Sequence, residues 1–311
     1  MFLTLLGLIV GFVLLVKGAD WLVDGATSIA LNLGVSKIVV GLSVVAFGTS
    51  LPELVASLVS VIKGHSSVSI SNVVGSNIAN IAIALALSSL FVSINIKKNT
   101  IKAEMPFMII STIVFTVLFI KDNSLTWNYG VVFISLLVIY LYYLITSAKN
   151  VVEEEFKDEV KYKTHIALLL IVVGIVGIWL GGDLTIGNVI KLAKSLGLSE
   201  TFVGLTIVAI GTSLPEIVVS IISTLKNEAD ILVGNIVGSN IFNILFILGV
   251  SSLVGNLYVD VQNFTIDLII MNLFVFILFF TSLLRKKIGK VEGIFFLTIY
   301  VFYIYQISIR K

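Results

Sequence analysis

The stretch "AFGTSLPELVAS", residues 46 to 57, decides how the chain is read. It sets Gly48, Pro52 and the carboxylate of Glu53 inside an apolar run from Ile38 to Ile62, long enough to be a membrane helix. A nearly identical stretch, "AIGTSLPEIVVS", returns at residues 209 to 220. A helix interrupted next to a buried acid, twice in one chain, is costly in hydrocarbon unless the interruption has a use.

Composition sets the class. Of 311 residues, 58% are hydrophobic and 12% charged, and the mean hydropathy is +1.12, too little polar surface to coat a soluble globule of this size. The chain reads as an all-α integral membrane protein. With no cysteine, disulfides, thiol chemistry and thiolate metal sites are excluded. A net charge of +2 and the lack of a basic block argue against a nucleic-acid partner. The apolar start, Met1 to Val16, has no basic leader or small-residue cleavage site and reads as a first span rather than a signal peptide.

A bilayer core needs about 20 apolar residues per helix. Ten such runs are expected, centred in 2–30, 38–62, 68–91, 104–120, 127–147, 164–195, 202–225, 231–254, 265–284 and 291–308. The first and sixth are the longest, and each holds an interior acid, Asp20 or Asp183, for which a structural role such as pairing with Lys17 is expected. The connection "KNVVEEEFKDEVKYK" (149–163) carries nine charges in fifteen residues and separates a first half, 1–148, from a second, 164–311. Assigning connections alternately puts six lysines and arginines on one side and thirteen on the other. The richer side is expected to be cytoplasmic, so both termini face outward from the cell membrane and the linker faces the cytosol.

The halves repeat at a constant offset of 163 residues. "GTSLPE" (48–53) maps onto "GTSLPE" (211–216), "GSNIANI" (75–81) onto "GSNIFNI" (238–244), and Asp20 onto Asp183. Across 41–53 ten of thirteen positions are identical, and the identities include Gly, Thr, Ser, Pro and Glu, which shared hydrophobicity does not explain. Five spans per half is an odd number. The second half is therefore expected to enter the membrane upside down, giving inverted repeats with broken helices at the midplane.

Pro52 and Pro215 cannot donate backbone hydrogen bonds, so carbonyls near Ser43–Gly48 and their repeat partners are expected to lose helical donors. Thr49, Ser50 and Glu53, with Thr212, Ser213 and Glu216, then converge on an oxygen-rich cation site. In the second motif Ser76 and Asn80, and Ser239 and Asn243, stand one turn apart and read as further ligands, while Gly75 and Gly238 read as close-approach positions. Asn77 and Asn240 serve equally well as ligands or as interhelical packing groups. A carboxylate at the bilayer centre costs at least ~2.5 kcal/mol on insertion scales, and the motifs around Glu53 and Glu216 contain no base to pair with them. Hard oxygen ligands of this mixture suit Na+ or Ca2+ better than the rigid octahedron of Mg2+. His65 and His165 have no symmetry partners, and no chemistry is assigned to them.

The paired "GTSLPE" and "GSNIxNI" segments resemble the two alpha-repeats of the sodium/calcium exchanger family within the cation/calcium antiporter superfamily, most closely the bacterial and archaeal type. The resemblance is strong over about 34–90 and 197–253 and covers the whole chain in span count and organisation. It implies exchange of Na+ for Ca2+ by alternating access, in which the first and sixth spans slide against the other eight. It also implies a three-to-one stoichiometry and no cofactor beyond the transported ions. It implies that Glu53 and Glu216 are shared ligands, helped by Ser50, Ser213, Ser76, Ser239, Asn80 and Asn243 and by main-chain oxygens of Ala46, Thr49, Ala209 and Thr212. Potassium-dependent relatives carry Asp where this chain has Asn243. The rival readings are a Ca2+/H+ antiporter, a potassium-dependent exchanger, a cation channel and an intramembrane protease. The last lacks a catalytic constellation, and a channel fits poorly with a site split across inverted repeats.

Overall fold

A computed structural model describes residues 2–147, 160–195, 209–259 and 261–309. Most of the charged linker and the first part of the 202–225 run therefore lie outside the described residues. The described chain is helical apart from four two-residue strands. In order it forms α1 (Phe2–Leu33), α2 (Lys37–Thr49), α3 (Leu51–Ile62), α4 (Ser66–Phe91), β1 (Ile94–Asn95), α5 (Thr100–Asp122), β2 (Ser124–Leu125) and α6 (Trp127–Ser147). The second half gives α7 (Thr164–Ser195), α8 (Ala209–Thr212), α9 (Leu214–Leu225), α10 (Ala229–Val254), β3 (Leu257–Tyr258), α11 (Val261–Arg285), β4 (Lys287–Ile288) and α12 (Lys290–Ile309). Among the described residues eight helices are long and apolar enough to cross a membrane, and the bent pair α2 and α3 raises the number to nine.

The break in the quoted stretch is real, but it is not where proline chemistry alone puts it. α2 and α3 meet at 43° on Ser50, whose φ and ψ of −83° and 1° end one helix and start the next. Ser213, at −85° and 5°, does the same before α9. Pro52 and Pro215 sit in the first turn of the following helix, where a missing N–H costs no ladder bond. The expected loss of donors is accordingly incomplete, since the Ala46 carbonyl still accepts the Ser50 N–H at 3.1 Å. The helices also carry wide π turns that periodicity does not reveal, at Gly41–Val45, Asn80–Leu85, Thr100–Glu104 and Asn243–Leu248. Such turns displace backbone bonding and gather at functional sites. Two of them begin at Asn80 and Asn243.

Contacts between the halves obey the 163-residue offset. β1 pairs antiparallel with β4 through Ile94 and Ile288, and β2 with β3 through Leu125 and Leu257. Adding 163 to one partner and subtracting it from the other turns the first pairing into the second. The interior belongs to the second motif: the spanning windows of α4 and α10 are 83% and 94% buried, whereas those of the other spans reach at most 39%. α1 and α7 lie antiparallel against each other with backbones in contact, because Gly18, Gly25, Gly174 and Gly181 face main-chain atoms there. Gly238 meets Leu42 and Ala46 as a close-approach position requires. Gly75 does not, since a Cβ there meets nothing within 4 Å, and its expected packing role is withdrawn.

Candidate cation site

Glu53 and Glu216 stand in the first turns of α3 and α9, one turn beyond the breaks, and both are 0% exposed. Ser50 donates to Glu216 Oε1 at 3.3 Å, so the break of the first repeat reaches the carboxylate of the second. The reciprocal bond, Ser213 to Glu53, is not made, and among the described residues neither Glu53 oxygen nor Ser213 Oγ has a partner at hydrogen-bond geometry. Among the described residues neither glutamate takes part in an ion pair with Lys, Arg or His. Lys17 is exposed, and Asp20 pairs with Lys226 rather than with Lys17.

The hydroxyls and amides knit the two repeats together. Thr49 Oγ1 lies 3.0 Å from Asn235 Oδ1, 3.2 Å from the Ala46 carbonyl and 3.3 Å from Ser239 Oγ. Ser239 Oγ in turn reaches the Ala46 carbonyl at 3.4 Å. Thr212 donates to Asn72 Oδ1 at 3.2 Å, the counterpart of the Thr49–Asn235 contact. Ala209 opens the described helix α8.

Asn80 Nδ2 donates to Asn240 Oδ1 at 3.2 Å, and Asn243 Nδ2 donates to Asn77 Oδ1 at 3.0 Å. Asn77 Nδ2 is spent on the Asn240 carbonyl at 3.2 Å. Asn77 and Asn240 thus act as interhelical anchors. By holding the nitrogens of Asn80 and Asn243 they leave the Oδ1 atoms of both buried and unpartnered, as is Ser76 Oγ. The turn of α4 that starts at Asn80 packs on α9, and the turn of α10 that starts at Asn243 packs on α3. The four unpartnered serine and asparagine oxygens therefore lie on elements that pack around the two carboxylates.

Asn72 and Asn235 were not singled out by sequence reasoning, although they obey the same offset. Asn72 Nδ2 reaches the Glu53 carbonyl at 3.4 Å and Ser57 Oγ at 3.2 Å; Asn235 Nδ2 reaches the Glu216 carbonyl at 3.5 Å and Ser220 Oγ at 3.3 Å. Each amide ties the first turn of the helix bearing the acid and accepts the threonine hydroxyl of the opposite repeat. The signal was present in "SNVVGSN" and "GNIVGSN", where Asn recurs four residues before the candidate serine.

Chemically the centre is a buried set of hard oxygens: carboxylates, hydroxyls, amide carbonyls and main-chain carbonyls. Among the described residues no cluster of three or more Asp, Glu, His or Cys forms. Two carboxylates among neutral oxygens suit a cation that is held and released rather than one bound permanently.

A multi-span helical membrane protein with duplicated broken helices around two buried carboxylates is of the ion-carrier class. The chain belongs to the sodium/calcium exchanger family: the model described as "Sodium/calcium exchanger protein" matches residues 3–146 and 166–308. It is 35% identical to CaxA of Alkalimonas amylolytica, covering 96% of each chain. It is 29% identical to the sodium/calcium exchanger MaX1 of Methanosarcina acetivorans, covering 94% of this chain and 95% of that one. Its fold superposes on the sodium-calcium exchanger NCX_Mj, solved after soaking with 2.5 mM Na+ and 1 mM Sr2+, with a TM-score of 0.87 and 32% identity over 99% of both chains. The family's members are antiporters, not enzymes.

Proposed function

We propose that the chain is a Na+/Ca2+ antiporter that works by alternating access, with ten spans in two inverted repeats and one shared ion centre between them. The ligands are the carboxylates of Glu53 and Glu216, the side-chain oxygens of Ser50, Ser213, Ser76, Ser239, Asn80 and Asn243, and main-chain oxygens of Ala46, Thr49, Ala209 and Thr212. The observation that carries this reading is the set of buried oxygens on Glu53, Glu216, Ser76, Ser213, Asn80 and Asn243 that have no partner at hydrogen-bond geometry among the described residues. Leaving such groups unpaired costs about 1–3 kcal/mol each, more for a charge, and a bound cation offsets that cost.

The charge count is compatible with the three-to-one exchange that the family resemblance implies: one Ca2+ neutralises two carboxylates and three Na+ exceed them by one, which would make the exchange electrogenic. Mutually exclusive occupancy of one oxygen set is sufficient for antiport, provided the bare site, at −2, resists crossing the membrane. The thirteen basic residues on the linker side favour a cytosolic linker and external termini.

The test is uptake of radiolabelled Ca2+ into proteoliposomes under an outward Na+ gradient, with and without a protonophore. Uptake that follows the Na+ gradient, persists with the protonophore and moves net charge is the expected result. Uptake driven by a proton gradient in the absence of Na+ replaces this reading with a Ca2+/H+ antiporter.

A further inference from the structure

α1 and α7 form a two-helix unit whose glycine-lined interface brings Gly7 to Asn188, Gly18 to Gly174, and Gly25 to Ala167. Against the other helices this unit is lopsided. α1 lies along α9, whereas the equivalent pair, α7 and α3, scarcely touch. The tether has the same asymmetry. Lys226, the C-cap of α9, reaches Asp20 Oδ1 at 2.6 Å, the Asp20 carbonyl at 2.9 Å and Asp24 Oδ1 at 2.6 Å. Among the described residues, the ion pairs joining α1 or α7 to the other helices are those of Lys226.

The repeat assigns this tether a counterpart. Asp20 maps onto Asp183 and Lys226 onto Lys63, which is the C-cap of α3 with φ −82° against −88° at Lys226. Lys63 and Asp183 are both exposed, and among the described residues they form no ion pair. Asp183 lies on the stretch of α7 beside Gly11 to Leu15, so the two acids sit about eight residues, roughly 12 Å, apart along the unit.

We propose that Asp20–Lys226 and Asp183–Lys63 are alternative latches: the first holds the α1/α7 unit on α9 in the conformation seen here, and the second holds it on α3 in the opposite conformation. The inference rests on the alternating access proposed above. The glycine-lined contact holds α1 and α7 together as one unit, and α9 meets that unit through apolar side chains such as Val218 and Val219, so a polar contact at each end of the travel sets its two resting points. The latches are unequal. The position matching Asp24 is Gly187, so the second latch has one carboxylate where the first has two, and the conformation described here is the favoured one.

The chain contains no cysteine, so introduced pairs report without background. The full-length protein is prepared as Asp20→Cys with Lys226→Cys, and as Lys63→Cys with Asp183→Cys. Each is treated in proteoliposomes with a short reducible bifunctional thiol reagent, and linkage is read by mass spectrometry, which does not depend on which cations are exchanged. Linkage of both pairs, each arresting transport until reduction, is expected. A Lys63/Asp183 pair that never links while the Asp20/Lys226 pair does overturns the alternative-latch assignment and leaves the proposed function standing. A second measurement uses Gly187→Asp, at a position with nothing within 4 Å of a Cβ. It is expected to slow exchange several-fold through a stronger second latch, and Lys63→Met is expected to relieve it. Slowing that persists in the Lys63→Met background, or no slowing, counts against the latch.

Discussion

Glu53 and Glu216 are carboxylates without a counter-charge. Both are fully buried, and among the described residues no base pairs with either. Glu53→Gln or Glu216→Gln removes one unit of negative charge and turns an oxygen into a donor, so each is expected to abolish Na+-driven Ca2+ uptake while detergent stability is kept. Normal exchange in either variant removes that residue from the site. The same chemistry sets the pH response: protonating a ligand carboxylate deletes its charge and its coordination together, so acid should inhibit transport and higher Ca2+ should relieve the inhibition. Inhibition that Ca2+ does not relieve places the titrating group elsewhere. Asn72 and Asn235 act one step back, because they hold the carbonyls of the glutamates and the threonines of the opposite repeat. Asn72→Ala or Asn235→Ala strands two or three buried polar groups at about 1–3 kcal/mol each. An increase in the Ca2+ KM of about tenfold, some 1.4 kcal/mol, is expected. An unchanged KM with a lower Tm identifies these amides as packing groups only.

Among the elements, the two 32-residue helices α1 and α7 make the sharpest case, because backbone contact leaves no room for a side chain. A Cβ on Gly18 falls 2.6 Å from Ile178 N and 2.8 Å from Gly174 O, and one on Gly174 falls 2.7 Å from Leu22 N. Main chain cannot rotate away, so Gly18→Ala and Gly174→Ala are expected to cost about 1–3 kcal/mol of overpacking and to lower Tm by several degrees. Gly75→Ala and Gly187→Ala meet nothing within 4 Å and should leave Tm unchanged. Equal effects at all four positions would show that glycine flexibility, not contact, is what matters. This scale also separates what the sequence could announce from what it could not. Hydrophobic length located the eight or nine spans found among the described residues, and the "GTSLPE" repeat located the breaks, because both are local signals. The π turns at Asn80 and Asn243, the β1–β4 and β2–β3 pairings and the offset of the break from Pro52 to Ser50 depend on partners distant in sequence. Asn72 and Asn235 stood in plain view of the repeat. Their four-residue spacing from a serine resembles ordinary helix packing until the threonine across the interface is seen.

For the whole molecule, duplication fixes the charge of the centre: one acid from each repeat gives −2, and the second motif contributes the neutral amides Asn80 and Asn243. Their nitrogens are committed to Asn240 and Asn77, so both present an oxygen and neither adds charge. An aspartate at position 243 would bring the centre to −3 and leave one unit for another cation to offset. With Asn243 in place no such deficit exists. Na+-driven Ca2+ uptake is therefore expected to proceed equally well when choline replaces K+ on both sides of the vesicle. In Asn243→Asp, added K+ or a lower pH should speed exchange, since either supplies the missing positive charge. An absolute requirement for K+ in the unsubstituted protein would show that cation demand is set somewhere other than the charge of this centre.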